Sequence, residues 1–423
     1  MISDHTLLRL LRSNRRVLLY GDLFRAALLF VLLMVLALWT LYYAAIVRFM
    51  FTELHMNDFG KFYFSARLFL DGEDMYGPSP ATELPVGEDE IGRFWNLNPP
   101  HFHLILLPLA RLAPGPALAA WAAINLVALV ACLWLITREL ALRWTIAGAG
   151  WLVVGMVLSA ASGTILLTGQ LTFLLALPVT AAWIHARRGA WHAAALLLGI
   201  AASVKPFLGI FALYLLATRR LGSLARMIVA IAACVLAGLS VFGTSAYASW
   251  LGALSSVQWP WAPMNASLAG LLSRSFGANP FHVPVVDAPW LIAPASILLS
   301  VLIGVVSIWM VARDQSPDAT DRVFFGLLIA AQLASPLGWI YYLWLPAGAA
   351  FALWRSRRAR PSAQRDWLVV LATPGLMCPL PFTLMASDGR WMGLTLGSAY
   401  AWSVLILWFA FVADWFARDR GRA

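Results

Sequence analysis

The sequence is poor in charge, in lysine and in cysteine. Charged residues make up only 12% of the 423 positions, where soluble domains carry about 25%. That excludes an ordinary soluble globular domain, and with it any count of domains from length alone. Only two of the thirty basic residues are lysines, Lys61 and Lys205. The three cysteines (Cys132, Cys234 and Cys378) sit in separate apolar runs. They are expected as buried free thiols, which excludes a disulfide framework or a cysteine metal cluster. No phosphate-binding glycine loop, dinucleotide fingerprint, zinc spacing or nucleophile elbow occurs. No metal or cofactor is therefore expected. The seven histidines are scattered, and His101 and His103, flanking Phe102, do not make a metal site by themselves.

What remains is apolar: 61% of residues are hydrophobic, and 21 are tryptophan. Apolar runs recur near 24–47, 116–137, 145–162, 171–186, 190–204, 206–218, 226–243, 289–312, 322–336, 339–354, 366–386 and 393–413. Several fall short of the roughly 20 residues of a full span, so helix extension or bilayer thinning is implied. The first run is too long for a cleavable signal and lacks a small-residue cleavage site, so it reads as a signal anchor. The expected fold is an all-α polytopic membrane bundle of about twelve spans, forming a single domain over 1–423.

The net charge of +10 would suit nucleic acid, but the placement of the charge argues for membrane lipids instead. With both termini inside, 22 of the 30 Lys and Arg fall on the cytoplasmic side, as the positive-inside rule requires. The outer side then holds both lysines and 11 of the 20 acids. Segment 99–112 is apolar enough to span, but inserting it would turn every later basic loop outward. It is expected to be re-entrant or interfacial. Two long outer segments result, 48–115 and 244–288. Phe94, Trp95, Trp250, Trp259 and Trp261 are expected to fold them into a lid at the membrane interface. No internal repeat is evident.

Asp58 stands out on this frame. It follows the first apolar run, in Asn57-Asp58-Phe59-Gly60-Lys61-Phe62-Tyr63. A carboxylate at the mouth of a membrane bundle is costly unless paired, solvated or used. It is either a general base or a solvated surface charge. Glu83, Glu88, Asp89 and Glu90 read as solvated surface. Lys205 precedes Pro206 between two apolar runs, where proline stops the helix. It either snorkels to the interface or binds an anion, and its isolation on the outer side favours the anion. Gln170, after Thr168-Gly169, either belongs to a helix cap or bonds a sugar hydroxyl. Asn265 opens Asn265-Ala266-Ser267-Leu268, which leads to Arg274. That arginine suits a bidentate phosphate contact or a structural ion pair. Trp339, Tyr341 and Tyr342 follow Ser335-Pro336, as a sugar-stacking platform or as belt residues. One carboxylate, one or two isolated cations and several aromatics on one outer face suit a lipid phosphate meeting a hydroxyl acceptor. The carboxylate would take the hydroxyl proton, and the cations would stabilise the departing phosphate.

The order of these motifs resembles glycosyltransferase family 87, within the GT-C superfamily of polytopic enzymes. The matching pieces run from Asp58-Phe59, Tyr63, Ala66, Leu70-Asp71-Gly72 and Tyr76 to Asn98-Pro99-Pro100 and Leu107-Pro108-Leu109. They continue through Gly169-Gln170, Lys205-Pro206, Asn265-Ala266-Ser267-Leu268, Arg274, Ser335-Pro336 and Trp339. The resemblance implies transfer of a sugar, usually mannose, from a polyprenyl phosphate carrier to a lipid or glycan acceptor. It implies the outer face of the plasma membrane, inversion at the anomeric carbon and no metal. Asp58 matches the family's catalytic position. Many relatives carry a histidine pair just after the tryptophan, where this chain has Tyr341-Tyr342. Two rival functions make different demands. A transporter or lipid flippase would need broken helices in paired repeat halves, and Lys205-Pro206 has no obvious counterpart. A non-catalytic membrane scaffold would need no convergence of carboxylate and cations.

Overall fold

Runs of Leu, Ala, Val and Ile give the chain long helices with little polar patterning. Their termini carry recognisable signals. The computed structural model describes residues 29–31, 33–49, 51–52, 57–85, 91–257, 259–279, 283–358, 368–369, 371–373, 375–376, 385 and 389–419. The basic residues before 29, those at 360 and 365, Cys378, acids 88–90 and most of run 366–386 lie outside the described residues.

The helices are α1 (Leu29–Phe49), α2 (Asn57–Leu70), α3 (Leu107–Ala110), α4 (Pro114–Glu139), α5 (Ile146–Leu158), α6 (Ala160–Thr168) and α7 (Thr172–Arg187). They continue with α8 (Trp191–Val204), α9 (Ile210–Ala217), α10 (Leu221–Ser255), α11 (Leu268–Phe276) and α12 (Ile292–Arg313). The last are α13 (Ala319–Ala334), α14 (Ala347–Arg358) and α15 (Ala399–Asp419). The strands among the described residues are β1 (Glu83–Pro85) and β2 (Ile91–Arg93), an antiparallel pair with Leu84 opposite Gly92. The fold is thus helical, as expected, with one small antiparallel pair added within segment 48–115.

Five helices among the described residues are long and apolar enough to cross a bilayer: α1, α4, α10, α12 with the turn before it, and α15. The pair α5–α6 makes a sixth if its 68° bend is taken within one span. The chain is a multi-pass membrane protein. Among the described residues the other expected runs, apart from 366–386, coincide with shorter helices, so twelve spans are not reached there by length. Segment 99–112 forms a 3-10 turn, Pro100–Ile105, followed by the single turn α3. At about 1.5–2 Å per residue these reach well short of the ~30 Å hydrocarbon core.

Local chemistry explains the breaks. Ser159 ends α5 and caps α6, accepting from Ser162 N at 3.4 Å. Gly169 closes α6 in the left-handed region, at φ 66°, where glycine has no Cβ penalty. Pro206 ends α8 after Lys205, whose backbone is extended at φ −129°, as expected before proline. Gly243 kinks α10 at φ 74°, at the expected junction between span and outer segment.

The core lies between α4, α7, α8 and α13, around Trp121, Trp183, Phe211 and Phe324. Acid–base clusters tie helix ends together at one end of this bundle. Arg322 pairs with Asp314 at 2.6 Å and with Asp414. Arg187 bridges Glu139 at 3.2 Å and Asp321 at 2.6 Å. Cys132 is a buried free thiol, and Cys234 is free and half-buried.

Candidate active site

A cavity of about 950 Å³ opens where segments 48–115 and 244–288 meet the helices. Its wall includes Asp58, Lys61, Asn96, Asn98, Gln170, Lys205, Trp339, Tyr341 and Tyr342. From this polar end it continues along apolar side chains: Leu213 of α9, Val301, Val305 and Ile308 of α12, and Ala331 of α13. Leu213, Val301 and Val305 each expose more than half of their surface. The apolar end is therefore open at the outside of the bundle.

Asp58 lies in the first turn of α2, where the helix dipole favours a negative charge. Asn57 starts that helix at φ 46°, a conformation that asparagine tolerates. Its side-chain amide donates to Leu167 O at 2.6 Å, fixing α2 to the end of α6. Gly169 then packs directly on α2, because a Cβ there would meet Phe59 Cβ at 2.8 Å. This close approach brings Gln170 to Asp58. Gln170 Nε2 donates to Asp58 Oδ2 at 2.6 Å, and Lys61 Nζ donates to Oδ1 at 2.8 Å. The amide orientation follows from chemistry, since a carboxylate accepts only. Burial pushes the Asp58 carboxyl up, but Lys61, Gln170 and Lys205 outweigh it and hold the group below the ordinary carboxylate range. Asp58 keeps 24% of its side chain exposed and so remains accessible from the cavity.

Lys205 is the second cation. Its ammonium donates to Asn98 Oδ1 at 2.8 Å and lies 5.9 Å from the centre of the Tyr342 ring. Burial pushes Lys205 down to about 8 against the opposing pull of Asp58. Asn98 is itself held. Its amide and its backbone N–H both donate to Asn96 Oδ1 at 3.1 Å, and Tyr76 donates to its carbonyl at 2.5 Å. Asn96 Nδ2 meets Ser65 Oγ at 2.8 Å and His103 Nε2 at 2.7 Å. His103 Nδ1 faces the Pro99 carbonyl at 3.2 Å. A carbonyl only accepts, so the proton sits on Nδ1 and Nε2 takes the amide hydrogen. Burial pushes His103 down to about 4, which keeps the ring neutral near pH 7. A chain of side chains thus runs from a buried histidine to the Lys205 ammonium.

The aromatic residues form a wall. Trp339 stacks on Tyr341 with ring centres 6.2 Å apart, and Tyr341 meets Tyr342 edge-on at 4.8 Å. Phe207 packs on Tyr342 at 4.6 Å. Segments 48–115 and 244–288 also touch beside the cavity. Phe94 meets Trp259 at 5.4 Å, and Trp250 Nε1 donates to Leu97 O at 3.2 Å.

Six of the eight residues singled out from the sequence converge here: Asp58, Gln170, Lys205, Trp339, Tyr341 and Tyr342. The other two do not line the cavity. Arg274 is fully buried, with no exposed surface. Its guanidinium donates to Ser398 Oγ (2.8 Å) and to the carbonyls of Trp261 (3.2 Å), Ala262 (2.8 Å) and Asn265 (3.0 Å). All four bonds are internal, and the guanidinium expected at a phosphate is not among the side chains that line the cavity. Asn265 is also fully buried. Its side chain bonds the carbonyls of Pro260 and Pro336 and accepts from Gly338 N. It fastens the loop before α11 to the turn after α13 and is not itself among the residues that line the cavity.

Lys61, Asn96 and Asn98 enter the site without having been named as candidates. Lys61 stands three residues after Asp58, which reads as an ordinary helix-surface pair. The Asn98-Pro99-Pro100 motif was the available signal for Asn98, but nothing in sequence tied it to Lys205.

Residues 96–336 match the family model for glycosyltransferase family 87. Comparison with curated proteins and with solved structures gives no match in either.

Proposed function

Because this chain belongs to glycosyltransferase family 87 and so is a membrane glycosyltransferase, we propose that its sugar donor is a polyprenyl-phosphate sugar, with mannose as the sugar. The acceptor is a lipid or glycan hydroxyl. One observation carries the reading: a single cavity has a carboxylate and two lysines at one end and an open apolar wall at the other. A nucleotide sugar has no use for Leu213, Val301 and Val305. A lipid-linked phosphate uses both ends, burying apolar surface at about 25 cal/mol per Å² while its phosphate meets the ammonium groups.

In this reading Asp58 takes the acceptor proton as the acceptor oxygen attacks the anomeric carbon. The bond from that carbon to the phosphate oxygen breaks, with inversion. The electron pair stays on the phosphate, where Lys205 offsets the developing charge in a partly dry site. Trp339 and Tyr341 offer a stacking face for the sugar ring, and no metal is required. Both termini are cytoplasmic in a twelve-span arrangement, with segment 99–112 as an interfacial or re-entrant element. The cavity then faces the outside of the plasma membrane.

A donor competition tests this. Purified protein in lipid nanodiscs receives labelled polyprenyl-phosphate mannose or labelled GDP-mannose, with membrane glycolipid extract as acceptor. Label is expected to move from the polyprenyl donor only. Transfer from the nucleotide sugar with none from the lipid-linked one would reject the reading.

A further inference from the structure

The chain has only two lysines among its thirty basic residues, and both line this cavity. Lysine differs from arginine in being a compact point charge on a flexible stem, with three donors and no fixed plane. The two are held very differently. Lys205 is fixed through Asn98 and the network behind it. The Lys61 ammonium has one hydrogen-bond partner among the described residues, Asp58 at 2.8 Å, with the Phe94 ring 5.8 Å away. It therefore covers one oxygen of the carboxylate that must receive a proton, while Gln170 covers the other.

We propose that Lys61 is a latch operated by the donor: it pairs with Asp58 in the empty site and passes to the donor phosphate when that anion binds. The inference rests on the function proposed above and adds to it a reason for the order of events. A carboxylate held by two donors is a weak base. An arriving phosphate diester offers Lys61 an anion within reach of its stem, on the side where Lys205 stands. Transfer of the ammonium frees Asp58 Oδ1 for the acceptor hydroxyl. Asp58 then gains the hydroxyl proton, the new glycosidic bond forms, and the polyprenyl phosphate leaves with the electron pair between Lys61 and Lys205. Without donor the base stays covered, so an acceptor or a water arriving first meets a blocked carboxylate.

Asp58 faces Lys61 from its own helix, Gln170 from the turn after α6, Lys205 from the break after α8, and Tyr341 and Tyr342 from the turn before α14. None but Lys61 is placed to leave on donor binding. This gives a test that separates a latch from a fixed partner. The acid limb of kcat/KM for donor reports the free enzyme, and that of kcat reports the donor complex. A sugar phosphodiester does not itself titrate in this range. In Lys61→Gln the kcat/KM limb is expected to move up by about one pH unit, as an opposite charge is lost beside the carboxyl. The kcat limb is expected to stay where it is in the wild type, since Lys61 has already left Asp58 in that complex. Binding of polyprenyl phosphate, measured separately, is expected to weaken about tenfold, in line with one charge-assisted contact. It also reports that the variant is folded. Lys61→Arg is expected to recover binding but only part of turnover.

Both limbs of Lys61→Gln moving together, with normal wild-type transfer, would overturn the latch and leave the donor reading intact. Unchanged polyprenyl phosphate binding in that variant would do the same. A wild-type protein that neither binds polyprenyl phosphate nor transfers from its sugar-charged form would overturn both.

Discussion

Asp58 and Gln170 stand 112 residues apart in the chain, and the Gln170 amide nitrogen lies 2.6 Å from Asp58 Oδ2. Helix α2 and the turn that ends α6, which share no sequence neighbourhood, meet at this bond. It is made possible by Gly169, whose missing Cβ lets α6 end against Phe59. The Trp121 indole reinforces it by donating to Gly169 O at 2.7 Å.

Removing that amide should therefore act on the base before it acts on substrate. Gln170→Ala is expected to lower transfer about tenfold or more, the size of one hydrogen bond to a charged group. Gln170 donates to the charged form of Asp58, so its loss should move the acid limb of kcat/KM to higher pH. Steady-state rates across an acid pH series check this. A variant with lower affinity for acceptor and an unmoved acid limb would make Gln170 a sugar ligand alone.

Lys205 should give an alkaline limit. Its charge is present below its value of about 8 and lost as pH rises through it. Donor kcat/KM is expected to fall above that pH, and Lys205→Arg to flatten the fall at reduced affinity, since arginine stays charged but cannot copy a point contact. Asn98→Ala is expected to weaken donor binding without removing the charge. A wild-type donor kcat/KM that stays flat to about pH 10, the range of an unperturbed lysine, would contradict the assignment.

Arg274 should behave as a structural residue. Three of its hydrogen bonds hold the loop that carries Trp259 and Pro260 to the cavity wall, and a fourth ties it to Ser398. Arg274→Ala leaves buried carbonyls unpaired and is expected to cost at least about 3 kcal/mol. Arg274→Lys should rescue little, because one ammonium cannot reach acceptors arranged around a planar fork. Thermal unfolding in detergent measures both. A stable Arg274→Ala protein that has lost only donor binding would return the residue to the phosphate.

The sequence was most readable where chemistry is expensive. A carboxylate beside an apolar run and a lone lysine before proline both carry a desolvation cost, and both reached the site. Gly169 was readable as a bend, and it is one, but the purpose of the bend lies in Phe59, far away in the chain. The placement of Arg274 and Asn265 away from the cavity was hidden for a related reason. A polar residue in an outer loop looks available to ligand until the loop is known to close over it. The position of Lys61 was equally opaque, because a pair three residues apart reads the same on a solvent-facing helix as in a cavity. Helix positions followed the apolar runs closely. The number of crossings is less legible, since α8, α9, α13 and α14 are short, and hydropathy alone does not say whether a short helix crosses. The hairpin of β1 and β2 left no apolar signal at all.

The central claim is that Asp58 is the base for transfer from a lipid-linked phosphate. Asp58→Asn keeps the shape and the bond-accepting oxygen but cannot take a proton at neutral pH. The direct measurement compares wild type and Asp58→Asn in the same nanodiscs, reading polyprenyl phosphate binding and sugar transfer on each. Binding is expected to persist, and transfer to fall by about 10²–10⁴-fold, as for loss of a general base. Transfer by Asp58→Asn at close to the wild-type rate, with binding intact, would contradict the account.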